Sequence, residues 1–203
     1  MKTLHFTTIL ALVLAVAFSA KAQKSANNLL ANHSGVYRTF ADFQAKKLDL
    51  SVDFTKEKHK IKVHDFINKS EIDVIHMDKK YTFKKKDIYG IRDGKGVDYR
   101  FYNDLDYLIA QADTIYIYTK AENITTSNGK NHQSKQVTKY FFSRTGDSNI
   151  LLLTSENLKK VFPENHKMHD ALDMMFKSES DLAEYDSFHK TFKVVRFLKE
   201  HLK

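Results

Sequence analysis

Apolar and polar residues alternate along much of the chain from Leu48 to Leu153. Leu48, Leu50 and Val52 are separated by single polar residues, and this period of two indicates a half-buried strand at 48–54. Similar patterns predict further strands at 60–67, 71–77, 80–83, 107–111, 114–119, 135–143 and 150–153.

The clearest hairpin pattern lies in the middle of the chain. Two runs rich in aromatic and β-branched residues, 87–92 and 97–102, flank the sequence Asp93-Gly94-Lys95-Gly96. Its glycines tolerate the positive φ that tight hairpin turns require. The polar stretch 121–134 predicts a loop. Short strands joined by such turns are typical of an antiparallel meander, with the sheet curled or partly closed into a barrel.

Helical spacing of apolar residues replaces the alternation after Leu153. Thr154 is a suitable N-cap for a helix that Pro163 interrupts, and Asn165 is a suitable N-cap for a second helix. A third helix is predicted from about Asp186 onward. The apolar stripes of the second and third helices carry Met168, Ala171, Leu172, Met175, Phe176, Phe188, Phe192, Val195, Leu198 and Leu202.

The order of these elements predicts the fold class. Strands that precede helices, instead of alternating with them, indicate an α+β fold with two or three C-terminal helices packed on the sheet. The expected layout is an antiparallel β region at 35–153 and a helical region at 154–203, together forming one folded domain, 35–203. A short helix at 40–47, capped by Thr39, is predicted before the first alternating strand.

An export signal is expected at the start of the chain. Lys2 supplies a positive charge, residues 9–18 form an uncharged apolar run, and Ala20-Lys21-Ala22 has the small residues of a cleavage site. The mature protein is therefore expected to begin at Gln23, with a polar tether at 23–34. An uncleaved membrane anchor, the alternative, needs about 20 apolar residues, and no later stretch approaches a membrane span. We expect export to the periplasm, the cell surface or the extracellular medium.

Short aromatic motifs in the chain are similar to those of a known family. The segment Gly35-Val36-Tyr37-Arg38-Thr39-Phe40-Ala41-Asp42-Phe43 resembles the start of the mature region in a family of secreted and cell-envelope proteins of Bacteroidota. Ile88-Tyr89-Gly90-Ile91-Arg92-Asp93-Gly94 and Asp98-Tyr99-Arg100-Phe101 resemble the central hairpin of that family, and the helical tail from Thr154 is similar too. The resemblance implies a cell-envelope location and a folded domain, and it supplies no activity or catalytic residue.

Several kinds of chemistry are disfavoured by the sequence. The chain contains no cysteine, which excludes disulfides, thiolate metal sites and thiol nucleophiles. It has no Gly-x-Ser-x-Gly nucleophile elbow, and Gly94 and Gly96 precede a strand instead of the helix that a phosphate-binding loop requires. No cofactor and no catalytic residue is therefore predicted. A carboxylate pair that converges only in the fold stays an alternative, because sequence does not show separation in space.

The second predicted helix carries candidate metal ligands. His166 and His169 are three residues apart, and Asp170 and Asp173 each lie four residues beyond one of them. These spacings can place imidazoles and carboxylates on one helix face, in a set suitable for Zn²⁺ or Ni²⁺. Two histidines do not close a metal site, and no His-Glu-x-x-His motif is present. The other interpretation is a solvated helix face.

Basic residues give the main indication of a binding function, because the formal net charge is +8. Lysines cluster around Tyr81 and Phe83, and tyrosines are concentrated in the central hairpins. Basic residues interleaved with aromatic ones favour an anionic partner, and export disfavours nucleic acid. The alternative is that the lysines protect a sheet edge from aggregation. The candidate binding residues are Lys79, Lys80, Lys84, Lys85, Lys86, Tyr89, Tyr99 and Tyr102.

The sequence therefore predicts an exported, non-enzymatic module that binds an anionic or polymeric component of the cell envelope. The alternative is a hydrolase or metal-dependent enzyme whose site residues come together only in the fold. A deep cavity with convergent carboxylates or histidines would favour the enzyme, whereas a flat or convex surface would favour the module.

Overall fold

The computed structural model describes residues 30–57, 60–63, 70–128 and 131–202. The chain divides into two compact units, with the boundary between Val97 and Asp98. The predicted signal peptide and most of the predicted tether lie outside the described residues. The strands of the first unit are β1 (His33–Tyr37), β2 (Asp49–Asp53), β3 (Lys60–Val63), β4 (Glu71–His76), β5 (Lys79–Lys84) and β6 (Gly90–Arg92). Its helical segments are α1 (Phe40–Gln44) and a 3₁₀ turn (Lys85–Asp87).

The strands of the first unit pair in two antiparallel sets. β1 lies between β6 and β2, and β4 lies between β3 and β5. The strands predicted at 48–54, 71–77 and 80–83 are thereby confirmed. β1 begins at His33, inside the stretch predicted as a tether, and its residues Val36 and Tyr37 are fully buried.

Gly35 allows β1 and β2 to approach each other closely. A Cβ atom at this position would lie 2.8 Å from the carbonyl oxygen of Asp49 and 3.0 Å from the Cβ of Leu48. Cβ atoms do not tolerate such short contacts in a close-packed interior, so a side chain at position 35 would push the strands apart. The strand pairing is irregular at this point, with a shift of register between Ser34 and Val36.

The short helix α1 begins at the predicted cap. Thr39 Oγ1 accepts a hydrogen bond from the N–H of Asp42 at 3.1 Å, and the Asp42 carboxylate accepts one from the N–H of Thr39 at 3.0 Å. This reciprocal arrangement satisfies backbone donors that the helix itself leaves unpaired. Phe43 is buried, and its ring meets the ring of Tyr37 edge-on at 5.2 Å.

The predicted turn at 93–96 is present. The Asp93 carboxylate accepts hydrogen bonds from the N–H groups of Lys95 and Val97, each at 2.8 Å. Gly96 has a φ of 77°, the positive value that this turn was expected to require. Asp93 therefore fixes the turn with its side chain, and Gly96 supplies the conformation that other residues rarely adopt.

The second unit places its long strands before its helices. Its strands are β7 (Asp98–Tyr102), β8 (Leu105–Ala112), β9 (Tyr116–Asn128), β10 (Asn131–Ser143), β11 (Leu151–Leu152), β12 (Tyr185–Asp186) and β13 (Thr191–Phe192). Its helices are α2 (Ser155–Val161), α3 (His166–Met175), α4 (Glu179–Leu182) and α5 (Lys193–His201). The antiparallel order is β11-β10-β9-β8-β7, and β12 pairs with β13. The predicted α+β class is confirmed, and among the described strands this order is open instead of closed into a barrel.

The segment 121–134, predicted as a loop, is mostly strand. β9 and β10 pair residue by residue from Tyr116 with Ser143 to Asn128 with Asn131. Polar residues can occupy such a hairpin because the ladder satisfies their backbone groups whatever the side chain. The prediction failed because it relied on apolar alternation, which this segment lacks.

The helices of the second unit pack on its sheet. Ile115, Ile117 and Phe142 are fully buried in a cluster with apolar side chains of the helices. The helical segments contribute Leu158, Phe162, Met168, Leu172, Phe176, Leu182, Val194, Val195, Phe197 and Leu198. This cluster confirms the prediction that C-terminal helices cover the sheet.

The caps of α2 and α3 are those that the sequence predicts. Thr154 Oγ1 accepts a hydrogen bond from the N–H of Asn157 at 3.1 Å, and Asn165 Oδ1 accepts one from the N–H of Met168 at 3.0 Å. The prediction of the buried α3 stripe is wrong at one position, because Met175 is 52% exposed. It lies at the last position of α3, beyond the buried part of the helix.

The third predicted helix starts later than expected. α5 begins at Lys193, because residues 185–192 form the β12–β13 hairpin instead of a helix. The Asp186 carboxylate redirects the chain by accepting hydrogen bonds from the N–H groups of Phe188 and His189, each at 3.0 Å. His189 donates hydrogen bonds to Asp186 that hold the pKa of this carboxyl at about 2. The bond from the backbone N–H of His189 has the largest effect, and the bond from its side chain has the next largest. Phe188, predicted on the buried stripe, is 89% exposed.

Candidate binding surfaces

The small sheet formed by β3, β4 and β5 has an apolar face and a polar face. Ile72 and Val74 of β4 are fully buried, and they stand opposite Phe83 and Tyr81 of β5. Alternate side chains of a strand point to opposite faces. Lys80, Thr82 and Lys84 therefore belong to the solvent side of the sheet, whereas Lys79, at the start of β5, shares the face of Tyr81 and Phe83.

Arg38 packs against the apolar face of this sheet. Its guanidinium lies 4.4 Å from the centre of the Phe83 ring and donates a hydrogen bond to the Asp49 carboxylate at 2.6 Å. Burial alone would raise the pKa of Asp49, but hydrogen bonds from Arg38 and from the N–H of Leu50 outweigh it and lower that pKa. The carboxylate therefore stays ionised and holds Arg38 over the ring.

Exposed lysines follow β5 and the turn after it. Lys79, Lys80, Lys84 and Lys86 are exposed. A strand rises about 3.3 Å per residue, so these ammonium groups are spread along β5 and the turn after it. Lys79 lies on the opposite face from Lys80 and Lys84, but β5 is an edge strand of the β3-β4-β5 sheet, so lysines of both faces border the same edge. Lys80 forms an ion pair with Asp73 at 3.0 Å. Within the described ranges, Lys79, Lys84 and Lys86 form no ion pair.

Carboxylates lie among these lysines. Glu71 stands opposite Lys84 in the strand register, and Asp78 directly precedes Lys79. They weaken the attraction for a small anion, which would meet only one or two charged groups at a time. A chain-like anion can instead contact several lysines along the strand.

Two of the predicted binding residues do not belong to this exposed surface. Lys85 is 1% exposed, and its N–H donates a hydrogen bond to the carbonyl oxygen of Ser70 at 2.7 Å. Tyr89 is half-buried, and its ring lies 5.5 Å from that of Phe40 and 5.3 Å from that of Phe43. The burial of Lys85 could not be predicted from its neighbours, because the lysines on both sides of it are exposed.

Tyr99 and Tyr102, also predicted to bind the partner, lie in β7 of the second unit and are half-buried. The buried guanidinium of Arg100 lies 5.5 Å from the Tyr102 ring. It donates hydrogen bonds to the hydroxyl of Tyr118 at 2.9 Å and to the carbonyl oxygen of Ser148 at 2.8 Å. A buried cation requires such partners. Tyr102 therefore helps to enclose Arg100 instead of forming an open platform.

The predicted metal ligands lie on α3, and some of them are engaged by protein groups. The His166 and His169 rings are 5.7 Å apart, and His169 Nε2 lies 2.9 Å from a backbone carbonyl oxygen at the end of α2. Both carboxylate oxygens of Asp173 accept hydrogen bonds from Lys159 at 2.6 Å, while Asp170 is exposed. No group of three or more His, Asp or Glu side chains among the described residues is placed to hold a metal ion. The metal site stays a prediction.

A cavity of about 760 Å³ opens at the turn between α2 and α3. Its lining includes the charged side chains Arg144, Glu164 and Lys167, together with His166 and an apolar wall. Among the described lining residues Glu164 is the one carboxylate, and a single carboxylate does not provide the pair that a glycosidase-like mechanism uses. Sequence reasoning found only His166 of this set. Arg144 is distant in sequence from the others, and the fold alone brings it to them.

No family model, curated protein or solved structure matches this chain. None of the helices in the described ranges combines the length and the apolar character needed to cross a bilayer.

Proposed function

We propose that the protein is an exported, non-enzymatic binding module and that the β5 lysines bind an acidic polysaccharide of the cell envelope. The observation that carries the proposal is the line of exposed lysines. Three of them, Lys79, Lys84 and Lys86, form no ion pair in the part of the chain that the structure describes. Unpaired surface cations attract anionic partners over several ångströms and raise the rate of encounter.

The arrangement of these lysines suits a polymer better than a lipid headgroup. Charges spread along an extended strand match the repeating charges of a chain-like molecule. The exposed Met77 at the β4–β5 turn could insert into a bilayer, but Asp78 shares that turn and would be brought against anionic headgroups. A polysaccharide that lies along β5 meets Asp78 only at the Lys79 end, whereas a bilayer entered by Met77 would cover Asp78 completely.

Replacing Lys79, Lys84 and Lys86 together with Gln is expected to weaken binding to alginate, an acidic polysaccharide, by about tenfold, at typical values for exposed charge pairs. Binding by the unmodified chain should also weaken as salt is raised, since exposed charges are screened over about 8–10 Å at physiological ionic strength. Isothermal titration calorimetry at low and physiological salt measures both effects. The melting temperature should change little, because exposed substitutions usually alter stability by no more than about 0.5 kcal/mol.

The matched control replaces Lys135, Lys177 and Lys190 with Gln. These residues are also exposed, and the substitution removes the same charge from the second unit. Equal loss of binding in both variants would attribute it to net charge and contradict a β5 site. Unchanged alginate binding with increased aggregation of the β5 variant would instead show that the lysines protect a sheet edge. Binding to anionic liposomes but not to alginate would overturn the choice of polymer.

Export is part of this proposal, as is membership of the secreted Bacteroidota family that residues 35–43 resemble. N-terminal sequencing of the exported protein is expected to return Gln23, because Ala20 and Ala22 supply the small residues that the cleavage site needs. Replacement of Ala22 with Tyr should block cleavage and leave a precursor that keeps residue 1. A mature protein that itself begins at Met1 would contradict the export signal.

A further inference from the structure

We infer that the cavity at the α2–α3 turn binds a small amphiphilic carboxylate, with its charged head near Arg144 and Lys167 and its apolar tail on Phe162 and Leu202. This site is independent of the β5 lysines, which lie in the other unit. Four observations carry the inference: the unpaired cations, the net charge of the lining, the apolar wall and the hydrogen bonds that hold the turn.

The cations of the cavity differ from most basic residues of the second unit. Lys159, Lys193 and Lys199 each form an ion pair with a carboxylate, at 2.6, 2.7 and 2.5 Å. Arg144 and Lys167 form no ion pair or hydrogen bond within the described residues. A guanidinium and an ammonium that border one cavity and form no ion pair with a carboxylate provide directed donors for an anionic ligand.

The charge of the lining indicates a singly charged ligand. Among the described residues that line the cavity, Arg144 and Lys167 are positive and Glu164 is negative. The net charge is then balanced by one carboxylate. A phosphate monoester carries about −1.5 to −2 at neutral pH, so it would leave an excess of negative charge beside Glu164.

The rest of the lining favours an apolar tail. Phe162 and Leu202 line the cavity, together with Pro163 from the turn between α2 and α3. The Arg144 guanidinium lies 5.1 Å from the centre of the Phe162 ring, so the charged head and the apolar wall meet at this point. Small-molecule sites commonly measure about 300–1,000 Å³, and the volume of about 760 Å³ lies in that range.

The turn that forms the cavity is held in place before any ligand arrives. Asn165 caps α3 through its Oδ1, and its Nδ2 donates a hydrogen bond to the carbonyl oxygen of His201 at 2.9 Å. Pro163 fixes the backbone of the turn between the helices. A site that is already formed loses less conformational entropy when it binds a ligand.

The test uses the purified chain and four probes that separate charge from tail. Octanoate has both features, acetate has only the charge, octanol has only the tail, and octylammonium has the opposite charge. We expect octanoate to bind at least tenfold more tightly than each of the other probes, because a charge-assisted hydrogen bond of typical strength corresponds to at least that ratio of affinities. Amide chemical shifts in NMR titrations should change at Arg144, His166, Lys167 and Leu202.

Substitutions of the charged lining residues then test where the carboxylate of the ligand binds. Arg144→Gln and Lys167→Gln are each expected to weaken octanoate binding by about tenfold. Glu164→Gln should strengthen it, because the like charge is removed, and a general loss of folding cannot produce that gain. Lys84→Gln in the first unit is the control, and it should leave octanoate binding unchanged while weakening alginate binding.

Any one of the following results would overturn the inference. They are absence of octanoate binding at millimolar concentration, binding of octanol as tight as that of octanoate, and octanoate affinity in the Arg144→Gln and Lys167→Gln variants equal to that of the unmodified chain. Shift changes confined to residues outside the cavity would also contradict it. None of these results bears on alginate binding, so the two proposals fail separately.

Discussion

Deletion of residues 155–203 is expected to leave an insoluble or molten second unit. The deletion removes α2 to α5 and exposes Ile117 and Phe142 of the sheet, together with Ile115 just before β9, all of which pack in the cluster with these helices. Full burial of a Val, Leu, Phe or Met side chain contributes about 1.5–3 kcal/mol. Several such residues are lost together, and their sum exceeds the net stability of about 5–15 kcal/mol that a folded protein retains.

Far-ultraviolet circular dichroism during heating, together with binding of a dye for exposed apolar surface, tests this expectation against the full chain. The truncated chain should bind the dye at low temperature and should lose the cooperative transition of the second unit. A cooperative transition near the temperature of the full chain, without dye binding, would show that residues 98–154 are stable without the helices.

Replacement of Phe197 with Ala is expected to destabilise the protein by about 3–5 kcal/mol. Phe197 is 2% exposed, meets the Phe176 ring edge-on at 5.4 Å and stacks on the His201 ring at 4.2 Å. The smaller side chain would leave a cavity in the centre of the cluster, and the neighbouring helices could close it only in part.

Phe188→Ala is the matched control, because the same atoms are removed from a side chain that is 89% exposed. We expect a change of no more than about 0.5 kcal/mol. Chemical denaturation, with the slope of the transition compared between variants, measures both free energies. A Phe188 variant as unstable as the Phe197 variant would contradict the β12–β13 hairpin and restore the helix predicted from Asp186.

The predictions that were confirmed depend on local chemistry. Thr39, Thr154 and Asn165 cap helices because a short polar side chain bonds the free N–H groups two or three residues on. Gly96 takes the positive φ of its turn. Such features require only neighbours in the sequence, so a pattern of a few residues indicates them correctly.

The predictions that failed depend on competition between local structures or on long-range contacts. Phe188 fits a helical stripe, but the hydrogen bonds that Asp186 accepts favour a turn there. Lys85 matches its neighbours in sequence and differs from them in burial. The cavity at Arg144 could not be predicted, because it joins the end of β10 to a turn between two helices and to Leu202.

The two units differ in how their strands could assemble during folding. In the second unit β7 pairs with β8, β8 with β9, and β9 with β10, so each step closes a short loop between neighbours. In the first unit β1 pairs with β6, which joins Gly35 to Arg92 across most of the unit. Closing that loop costs more chain entropy before any contact compensates for it. Nucleation of the first unit is therefore expected to be the slower event, and its early intermediates are expected to leave the edge of β1 open to other chains.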